Sequence, residues 1–311
     1  MRVLLAGASG AIGAHLIPQL LRAGHTVVGI SRNPAGAQRI AALGAEAVVA
    51  DILSFPLLDA ALYGVRADAV IHQATALEKT PILHRHLRLT NTLRTVGTAN
   101  LLRAARSVGA QRFITQSFFL GYGYRDHGDR WIEEADAFGR PNGDAFDEHL
   151  LAMASNEDQV LQAPDLEGMA LRYGLFYGDD RSTVHFRELA AKRQLPVVAP
   201  TGTTSVIHLA DAAAATVAVL DRGRRGQAYN IADDHPPTFE EFLGSIAASV
   251  GARPPLRLPA RLLRPLPYLH ALMSTTRIKL SAALAKDQLE WQPRFPHHRD
   301  GLMADAQETA P

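Results

Sequence analysis

A loop with three evenly spaced glycines is the first part of the sequence that could do chemistry. Gly7, Gly10 and Gly13 stand directly after an apolar run at residues 3–6 and open an amphipathic stretch. Between a parallel strand and a helix, backbone N–H groups and the positive end of the helix bind a nucleotide diphosphate. The spacing is G-x-x-G-x-x-G rather than G-x-G-x-x-G. The loop predicts a dinucleotide site, with a plain strand–helix turn as the alternative.

The end of the second predicted strand indicates which dinucleotide is bound. Sites that prefer NAD carry an Asp or Glu there, which binds the ribose 2′-hydroxyl. This chain has Ser31 and Arg32 instead, with no acid beside them. A hydroxyl can donate to a 2′-phosphate, and a guanidinium can bind it through paired hydrogen bonds. We therefore expect NADP(H), the alternative being that Arg32 is a solvated loop residue.

Residues that could contact a ligand also follow the third and fourth predicted strands. Asp51 and Ile52 come after the third strand, where a side chain can contact the adenine edge. The fourth strand ends in the run 72–75, at the carboxyl edge of the sheet where ligands bind. We expect His72 to be a packed histidine with satisfied hydrogen bonds rather than a catalytic group.

Short apolar runs that alternate with amphipathic stretches must position these residues. The pattern predicts strands over residues 3–6, 26–30, 47–50, 69–72, 112–116 and 169–173. It predicts helices over residues 11–23, 35–43, 57–63, 83–108 and from the end of a polar loop at 122–144 to residue 161. This alternation is typical of a doubly wound α/β fold with a parallel sheet, a Rossmann domain. We expect a dinucleotide-binding domain at 1–180 and a smaller substrate lobe at 181–311, partly interleaved with it.

Composition excludes several classes of protein. The chain has 311 residues, 47% of them hydrophobic, and no cysteine, which excludes disorder, a disulfide framework and a thiolate metal site. A net charge of +1 gives no basic surface for nucleic acid. The histidines and acids do not stand at metal-ligand spacing, so no metal is expected. The apolar runs are too short for a signal peptide or a membrane span, so we expect a cytoplasmic protein without a membrane partner.

Six landmarks in order resemble one enzyme family. The glycine loop is the first, and the others lie at residues 91–98, 171–178, 206–211, 226–231 and 289–293. Together they resemble an extended short-chain dehydrogenase/reductase of the NAD-dependent epimerase/dehydratase type. The resemblance implies a Rossmann domain with a C-terminal substrate lobe, a small-molecule substrate and, often, a homodimer.

The chain departs from this family at the proton-relay residues. The family normally places a Ser or Thr after the fifth strand and a Tyr-x-x-x-Lys pair on the next helix. No tyrosine of this chain stands four residues before a lysine. Aligned through Glu157, the expected tyrosine and lysine fall near Leu150 and Ala154, and the serine position falls at Phe118 beside Ser117. The usual acid is therefore absent.

Two functions are compatible with that absence. In the first, the protein is an NADPH-dependent ketoreductase of natural-product (antibiotic) biosynthesis, acting on an aromatic, polyketide-like ketone that is polarised by its own phenol. General acid catalysis is typically worth 10²–10⁴-fold, so its loss slows the reaction without forbidding it. In the second, the protein binds NADP(H) without turnover and is a redox sensor. A sugar-nucleotide epimerase or dehydratase comes last, because it depends most on the tyrosine.

The resemblance and the local patterns give the following site residues. Ser117 is the predicted catalytic donor, although it could equally hold the cofactor or cap the strand. The predicted cofactor contacts are Gly7, Ala8, Ser9, Gly10, Ala11, Ile12, Gly13, Ser31, Arg32, Asp51, Ile52, Gln73, Ala74, Thr75, Asn91, Gln116, Tyr173, Gly174, Leu175 and Phe176. The predicted substrate contacts, for which core packing is the alternative, are Phe118, Phe119, Tyr122, Arg181, His185 and Phe186.

Overall fold

A computed structural model of the chain describes residues 1–77 and 80–308, which alternate between strands and helices. The strands are β1 (Arg2–Ala6), β2 (Thr26–Ser31), β3 (Glu46–Val49), β4 (Ala69–His72), β5 (Arg112–Phe118), β6 (Asp126–Ile132), β7 (Glu167–Tyr173), β8 (Leu175–Tyr177), β9 (Pro196–Ala199), β10 (Val206–His208), β11 (Ala228–Ile231), β12 (Leu256–Pro259) and β13 (Arg277–Leu280). The helices are α1 (Ala11–Arg22), α2 (Pro34–Ala42), α3 (Phe55–Ala61), α4 (Arg88–Thr92), α5 (Thr98–Val108), α6 (Asp147–Leu161), α7 (Arg181–Ala191), α8 (Leu209–Arg222), α9 (Phe239–Ser249), α10 (Pro267–His270), α11 (Ala283–Leu289) and α12 (His298–Glu308).

A seven-stranded parallel sheet forms the centre of the molecule. Its strand order is β11-β7-β5-β4-β1-β2-β3, and every pairing in it is parallel. The inner strands are buried on both faces, which explains why they read as continuous apolar runs. One face packs on α1 and α8, and the other packs on α3, α5 and α6. The predicted doubly wound fold is confirmed.

The segment predicted as one helix over 83–108 is helical but not uniform. It begins as a 3₁₀ turn at His84–Leu87, continues as α4, widens into a π-helical turn at Leu93–Gly97 and ends as α5. A π-helical turn holds one extra residue, so it rotates the side chains that follow it, and such turns recur at functional sites. The first helix, α1, continues through Pro18.

The two predicted segments exchange strands. β11 lies beyond residue 180 and yet completes the main sheet beside β7. In the other direction, β6 falls in the predicted loop 122–144 and pairs in parallel with β13 of the C-terminal lobe. Sequence missed β6 because most of its residues are exposed and its partner lies far along the chain. The lobe also contains the pairs β8–β10 and β9–β12.

No helix among residues 1–77 and 80–308 has the length and apolar content needed to cross a membrane.

Candidate functional site

The glycine loop joins β1 to α1 and is shaped by close backbone contacts. Gly7 has a φ of +85°, and a Cβ there would lie 2.5 Å from the carbonyl carbon of Gln73. A Cβ on Gly13 would lie 2.2 Å from the carbonyl oxygen of Ala8, so helix and loop touch directly. Gly10 is exposed at the start of α1. Two of the glycines are therefore required by the fold itself, and Gly10 leaves the loop surface open to a ligand.

The other loop residues differ in how far a ligand could reach them. Ala8, Ile12 and Gly13 are buried, whereas Ser9 is half-buried and Ala11 is exposed beside Gly10. Direct contacts with a phosphate would therefore come from the backbone of residues 9–11 and the Ser9 hydroxyl.

The end of β2 presents one of the two predicted 2′-phosphate residues. Arg32 is exposed, and no hydrogen bond or ion pair holds its side chain within the described part of the chain. Ser31 is only 4% exposed, and its hydroxyl donates to the backbone oxygen of Asn33. Asn33 in turn caps the N-terminus of α2. Arg32 is available to a phosphate, whereas Ser31 has a structural role in this conformation.

The ends of β3 and β4 lie at the same carboxyl edge. The Asp51 carboxylate accepts from the backbone N–H of Leu53, and Ile52 packs in the core. Gln73 is buried and donates from Nε2 to the Tyr173 hydroxyl, while its Oε1 has no partner among the described residues. Ala74 and Thr75 are half-buried beyond it.

His72, at the end of β4, is a packed histidine as expected. Its Nε2 lies 3.3 Å from the backbone oxygen of Leu93, and its Nδ1 accepts from Ala74 N–H. Burial lowers the pKa of the imidazole to about 4, so the ring is neutral at pH 7.

The end of β5 holds the predicted catalytic serine. Ser117 is 1% exposed, and its hydroxyl has no hydrogen-bond partner in the part of the chain that is described. Gln116 and Phe118 are half-buried on the opposite face of the strand. A buried hydroxyl without a partner is an unusual feature that a bound ligand could satisfy, so the catalytic role of Ser117 stays a prediction.

The predicted contacts at residues 173–176 follow one another at the end of β7 and the start of β8. The Tyr173 ring is fully buried, with its hydroxyl between Gln73 and Thr216, 2.6 Å from the latter. Gly174 packs against the backbone of Ser205. Leu175 and Phe176 are half-buried and remain accessible to a ligand. The Tyr173 side chain belongs to the core in this structure, and a contact of this residue with the cofactor stays a prediction.

Several predicted substrate contacts are also placed elsewhere. Phe119 and Tyr122 are buried, and the Tyr122 hydroxyl lies 2.8 Å from both Asn230 Oδ1 and Arg172 Nη1. These two rings pack in the core, which agrees with the alternative given for them, and their contact with a substrate stays a prediction. On α7, Phe186 packs in the C-terminal lobe, whereas Arg181 and His185 are exposed at the surface. The aromatic pattern alone could not separate rings of the core from rings of a site.

Helix α6 presents a residue that the sequence reasoning missed. One position before Leu150 stands His149, which is completely buried. Its Nδ1 lies 2.9 Å from Asn91 Nδ2, and its Nε2 lies 2.9 Å from Nδ1 of His84. Leu150 and Ala154, where the family's tyrosine and lysine were expected, carry no polar group in their side chains. An alignment shifted by one residue would have placed His149 at the tyrosine position.

The three residues form a chain of hydrogen bonds with a defined direction. The Asn91 amide donates to His149 Nδ1, so the proton of a neutral His149 is on Nε2 and points to His84 Nδ1. His84 then carries its own proton on Nε2, which is buried without a partner among the described residues. Burial lowers the pKa of the His149 imidazole to about 4 and also lowers that of His84. The chain therefore ends in a neutral, unused N–H donor.

Aromatic rings surround this donor. The His84 ring stacks on that of His149, with centroids 5.2 Å apart, and meets Phe146 and Tyr268 edge-on at 4.7 Å and 5.6 Å. Tyr124 lies 4.4 Å from Phe146. We call His84, Tyr124, Phe146, His149 and Tyr268 the histidine–aromatic cluster. His84, Tyr124 and Phe146 are half-buried, so the cluster opens to the surface on one side.

The residues present fit a nicotinamide dinucleotide at the carboxyl edge. The loop from Gly7 to Gly13 allows close backbone approach, Arg32 is available to a 2′-phosphate, and Gln73 and Ser117 have buried polar atoms without partners in the described chain. No group of three metal-ligating side chains occurs within residues 1–77 and 80–308.

Comparison with known proteins agrees with this geometry. Residues 3–232 match the NAD dependent epimerase/dehydratase family. The chain belongs to that family. Among its members, the 3-diazoavenalumate denitrifying reductase of Streptomyces sp is 34% identical over 97% of this chain and 99% of the relative. A 4-hydroxy-2-methyl-3-oxo-4-farnesyl-3,4-dihydroquinoline-1-oxide ketoreductase of Stigmatella aurantiaca is 26% identical over 81% of this chain and 74% of the relative. Reductase-named members thus support an oxidoreductase.

Solved structures of the epimerase/dehydratase family share the fold. The UDP-glucose 4-epimerase of Thermotoga maritima superposes with a TM-score of 0.81 at 18% identity, covering 99% of this chain and 98% of the other. The UDP-glucose 4-epimerase of Thermus thermophilus, solved with NAD, gives 0.79 at 23% identity with both chains fully covered. At this identity the likeness concerns the fold alone.

Proposed function

We propose that this protein reduces a ketone on a planar aromatic, polyketide-like substrate with NADPH, in natural-product biosynthesis. The observation that carries the proposal is the neutral hydrogen-bond chain from Asn91 through His149 to His84. Its middle member, His149, stands on α6, the helix where the resembled family places its tyrosine. Bound NADPH supplies the hydride. The half-buried rings of the histidine–aromatic cluster provide flat walls for an aromatic substrate.

The side chains polarise the carbonyl without a charged acid. The N–H of His84 Nε2 can donate to an oxygen that gains negative charge as hydride arrives, and a buried donor of this kind is worth more than one in water. A neutral imidazole is a hydrogen-bond donor rather than a strong acid at pH 7. The proton itself would come from a phenol of the substrate that is adjacent to the ketone. Ser117 is the second candidate donor.

A second candidate function is reductive removal of an aromatic diazo group. It is favoured by the absence of a Tyr-x-x-x-Lys pair together with the 34% identity to a denitrifying reductase. In this reaction a hydride forms the new C–H bond on the ring carbon, the C–N bond breaks, and its electron pair leaves with N₂. No proton is transferred, so the reaction needs neither tyrosine nor lysine.

Two other functions make different predictions. An NADP(H) sensor would bind the dinucleotide and turn nothing over. A sugar-nucleotide epimerase or dehydratase would act on a UDP- or dTDP-sugar. The cytoplasmic location and the homodimer expected from the family resemblance stay predictions.

The test is a titration of the purified protein with NADPH and NADH, followed by substrate panels. The bound reductant is challenged with hydroxylated aromatic ketones, with aromatic diazo compounds and with nucleotide sugars, while the absorbance of the reduced nicotinamide is followed. We expect tighter binding of NADPH and oxidation by a ketone. Oxidation of NADPH by diazo compounds alone, with release of N₂, would contradict ketone reduction and support the second candidate function. Tight binding without any oxidation would contradict both and favour the sensor.

A further inference from the structure

Arg94 is a buried arginine that pairs with no anion among the described residues. The residue lies in the π-helical turn Leu93–Gly97 and is only 8% exposed. No carboxylate of the described residues lies within ion-pair distance of its guanidinium, and no hydrogen bond from it is found there. Burying a charge without a partner is expensive, and arginine stays protonated even in proteins. A protein retains an energetically costly buried charge where that charge has a function.

A second buried arginine, Arg172, differs from Arg94 in its ion pairing. Arg172 is 9% exposed and donates to both oxygens of Glu157, with Nη2 2.7 Å from Oε2. It also contacts the Tyr122 hydroxyl at 2.8 Å. The chain thus pairs a buried guanidinium fully where its role is structural. Arg94 has no such partner in residues 1–77 and 80–308.

The surroundings of Arg94 are aromatic and neutral. It stands one turn after Asn91, whose amide contacts His149 of the histidine–aromatic cluster. Its charge acts directly on the hydroxyls of Tyr124 and Tyr268, and it lowers the pKa values of His72 and His149. Two acids, Asp144 and Glu148, lie near His84, but neither forms an ion pair with Arg94. Among the described residues, no ion pair compensates this charge.

We propose that Arg94 binds an anionic oxygen of a planar aromatic substrate, which enters between the rings of the histidine–aromatic cluster. The oxygen belongs to a carboxylate or an ionised phenol, and the guanidinium fork suits either. Tyr268 and Phe146 are near-parallel, at 27° and 6.4 Å between centroids, and Tyr124 closes a third side. The bound anion compensates the buried charge.

This inference rests on the proposed function, since it names the substrate class of the same site. Its test uses ligands that cannot accept hydride, so that binding is measured without turnover. Cinnamate carries only a carboxylate, 4-hydroxycinnamamide carries only a phenol, and cinnamamide carries neither. Binding of each to the NADP⁺-loaded protein is measured by calorimetry for the wild type, Arg94→Gln and Arg88→Gln. Arg88 is an exposed arginine of the same helical segment and is the matched control.

We expect the wild type to bind cinnamate or 4-hydroxycinnamamide at least tenfold more tightly than cinnamamide. Arg94→Gln should remove that preference, roughly a tenfold loss for a charged hydrogen bond, whereas Arg88→Gln should keep it. The affinity for NADP⁺ and the melting temperature of Arg94→Gln should not fall, because a buried unpaired charge is removed. The compound whose affinity falls in Arg94→Gln shows whether the carboxylate or the phenol is the recognised group.

Equal binding of all three compounds by the wild type would overturn the inference without any variant. A preference that survives in Arg94→Gln would overturn it as well. The proposed function is tested separately, because oxidation of bound NADPH by a neutral aromatic ketone would stand even if Arg94 bound no acid.

Discussion

The glycine loop and the histidine–aromatic cluster stand at the same edge of the sheet but are built in opposite ways. The loop takes its shape from seven consecutive residues and offers backbone N–H groups. The cluster takes its five side chains from positions between His84 and Tyr268. Its donor is the N–H of His84 Nε2, at the end of a series of hydrogen bonds between side chains. The half of the site that fits the cofactor is thus local and backbone-made, whereas the half proposed for the substrate is tertiary and made of side chains.

The loop depends on atoms that a single methyl group would displace. In Gly7→Ala the new Cβ would lie 2.5 Å from a backbone carbon of Gln73. We expect NADPH binding to weaken by about a thousandfold, because backbone cannot yield as a side chain can. Fluorescence titration with NADPH measures the loss.

Gly24→Ala is the control for Gly7→Ala. Gly24 has nearly the same φ, +83° against +85°, but a Cβ there meets nothing within 4 Å. It should cost only about 1 kcal/mol of stability through backbone strain and leave NADPH binding intact. Equal losses in both variants would mean that strain, not the contact with Gln73, shapes the loop.

His72 touches both regions, since it bonds to Ala74 at the cofactor edge and to Leu93 at the π-helical turn. Its pKa is about 4 in the folded protein and near 6.5 when unfolded. Above pH 6.5 the ring is neutral in both states, and as pH falls to 4 only the unfolded state gains the proton. His72 therefore contributes about 3 kcal/mol of stability that is lost over that range.

Urea unfolding of the wild type and His72→Gln at pH 7 and pH 4 measures this contribution. The wild type should lose about 3 kcal/mol more than the variant between the two pH values. His86→Gln, an exposed histidine of the neighbouring turn, should follow the wild type. Parallel losses in all three proteins would show that the protonation of His72 does not couple the two regions to folding.

The cluster can be broken at its donor without changing its shape. His84→Phe keeps a ring against Phe146 and removes the N–H of Nε2. We expect kcat for a ketone to fall about a hundredfold, the size of losing one donor to a developing oxyanion. NADPH affinity should not change, and His86→Phe should have full activity. Removal of a diazo group should be unaffected, so this variant also separates the two candidate functions.

The cofactor half can be tested at Arg32, the exposed side chain predicted to bind the 2′-phosphate. Arg32→Gln should weaken NADPH binding roughly tenfold and leave NADH binding unchanged, since only NADPH has the 2′-phosphate. Arg39→Gln, exposed on α2, is the matched control. Equal losses for both dinucleotides would contradict the predicted NADP(H) preference.

Much of the fold was predictable because its signals are local. The inner strands are buried on both faces, so their apolar runs stand out, and the helices between them have one apolar face. β6 was not predictable, because its exposed residues are held by a distant partner, with Arg277 and Lys279 of β13 facing Asp129. The burial of Phe119 and Tyr122 was not predictable for the same reason, since burial of a ring depends on the segments that pack over it.

The sequence by itself determined the parallel α/β architecture, the glycine loop and the absence of a Tyr-x-x-x-Lys pair, because each is written in neighbouring residues or in a fixed spacing. Only the tertiary structure decided that His149 meets Asn91 and His84, and that Arg94 lies buried beside Tyr124 and Tyr268. Those contacts join segments up to 174 residues apart (94 to 268). Spacing fixes backbone shape within a turn, whereas the environment of a side chain depends on every segment packed around it.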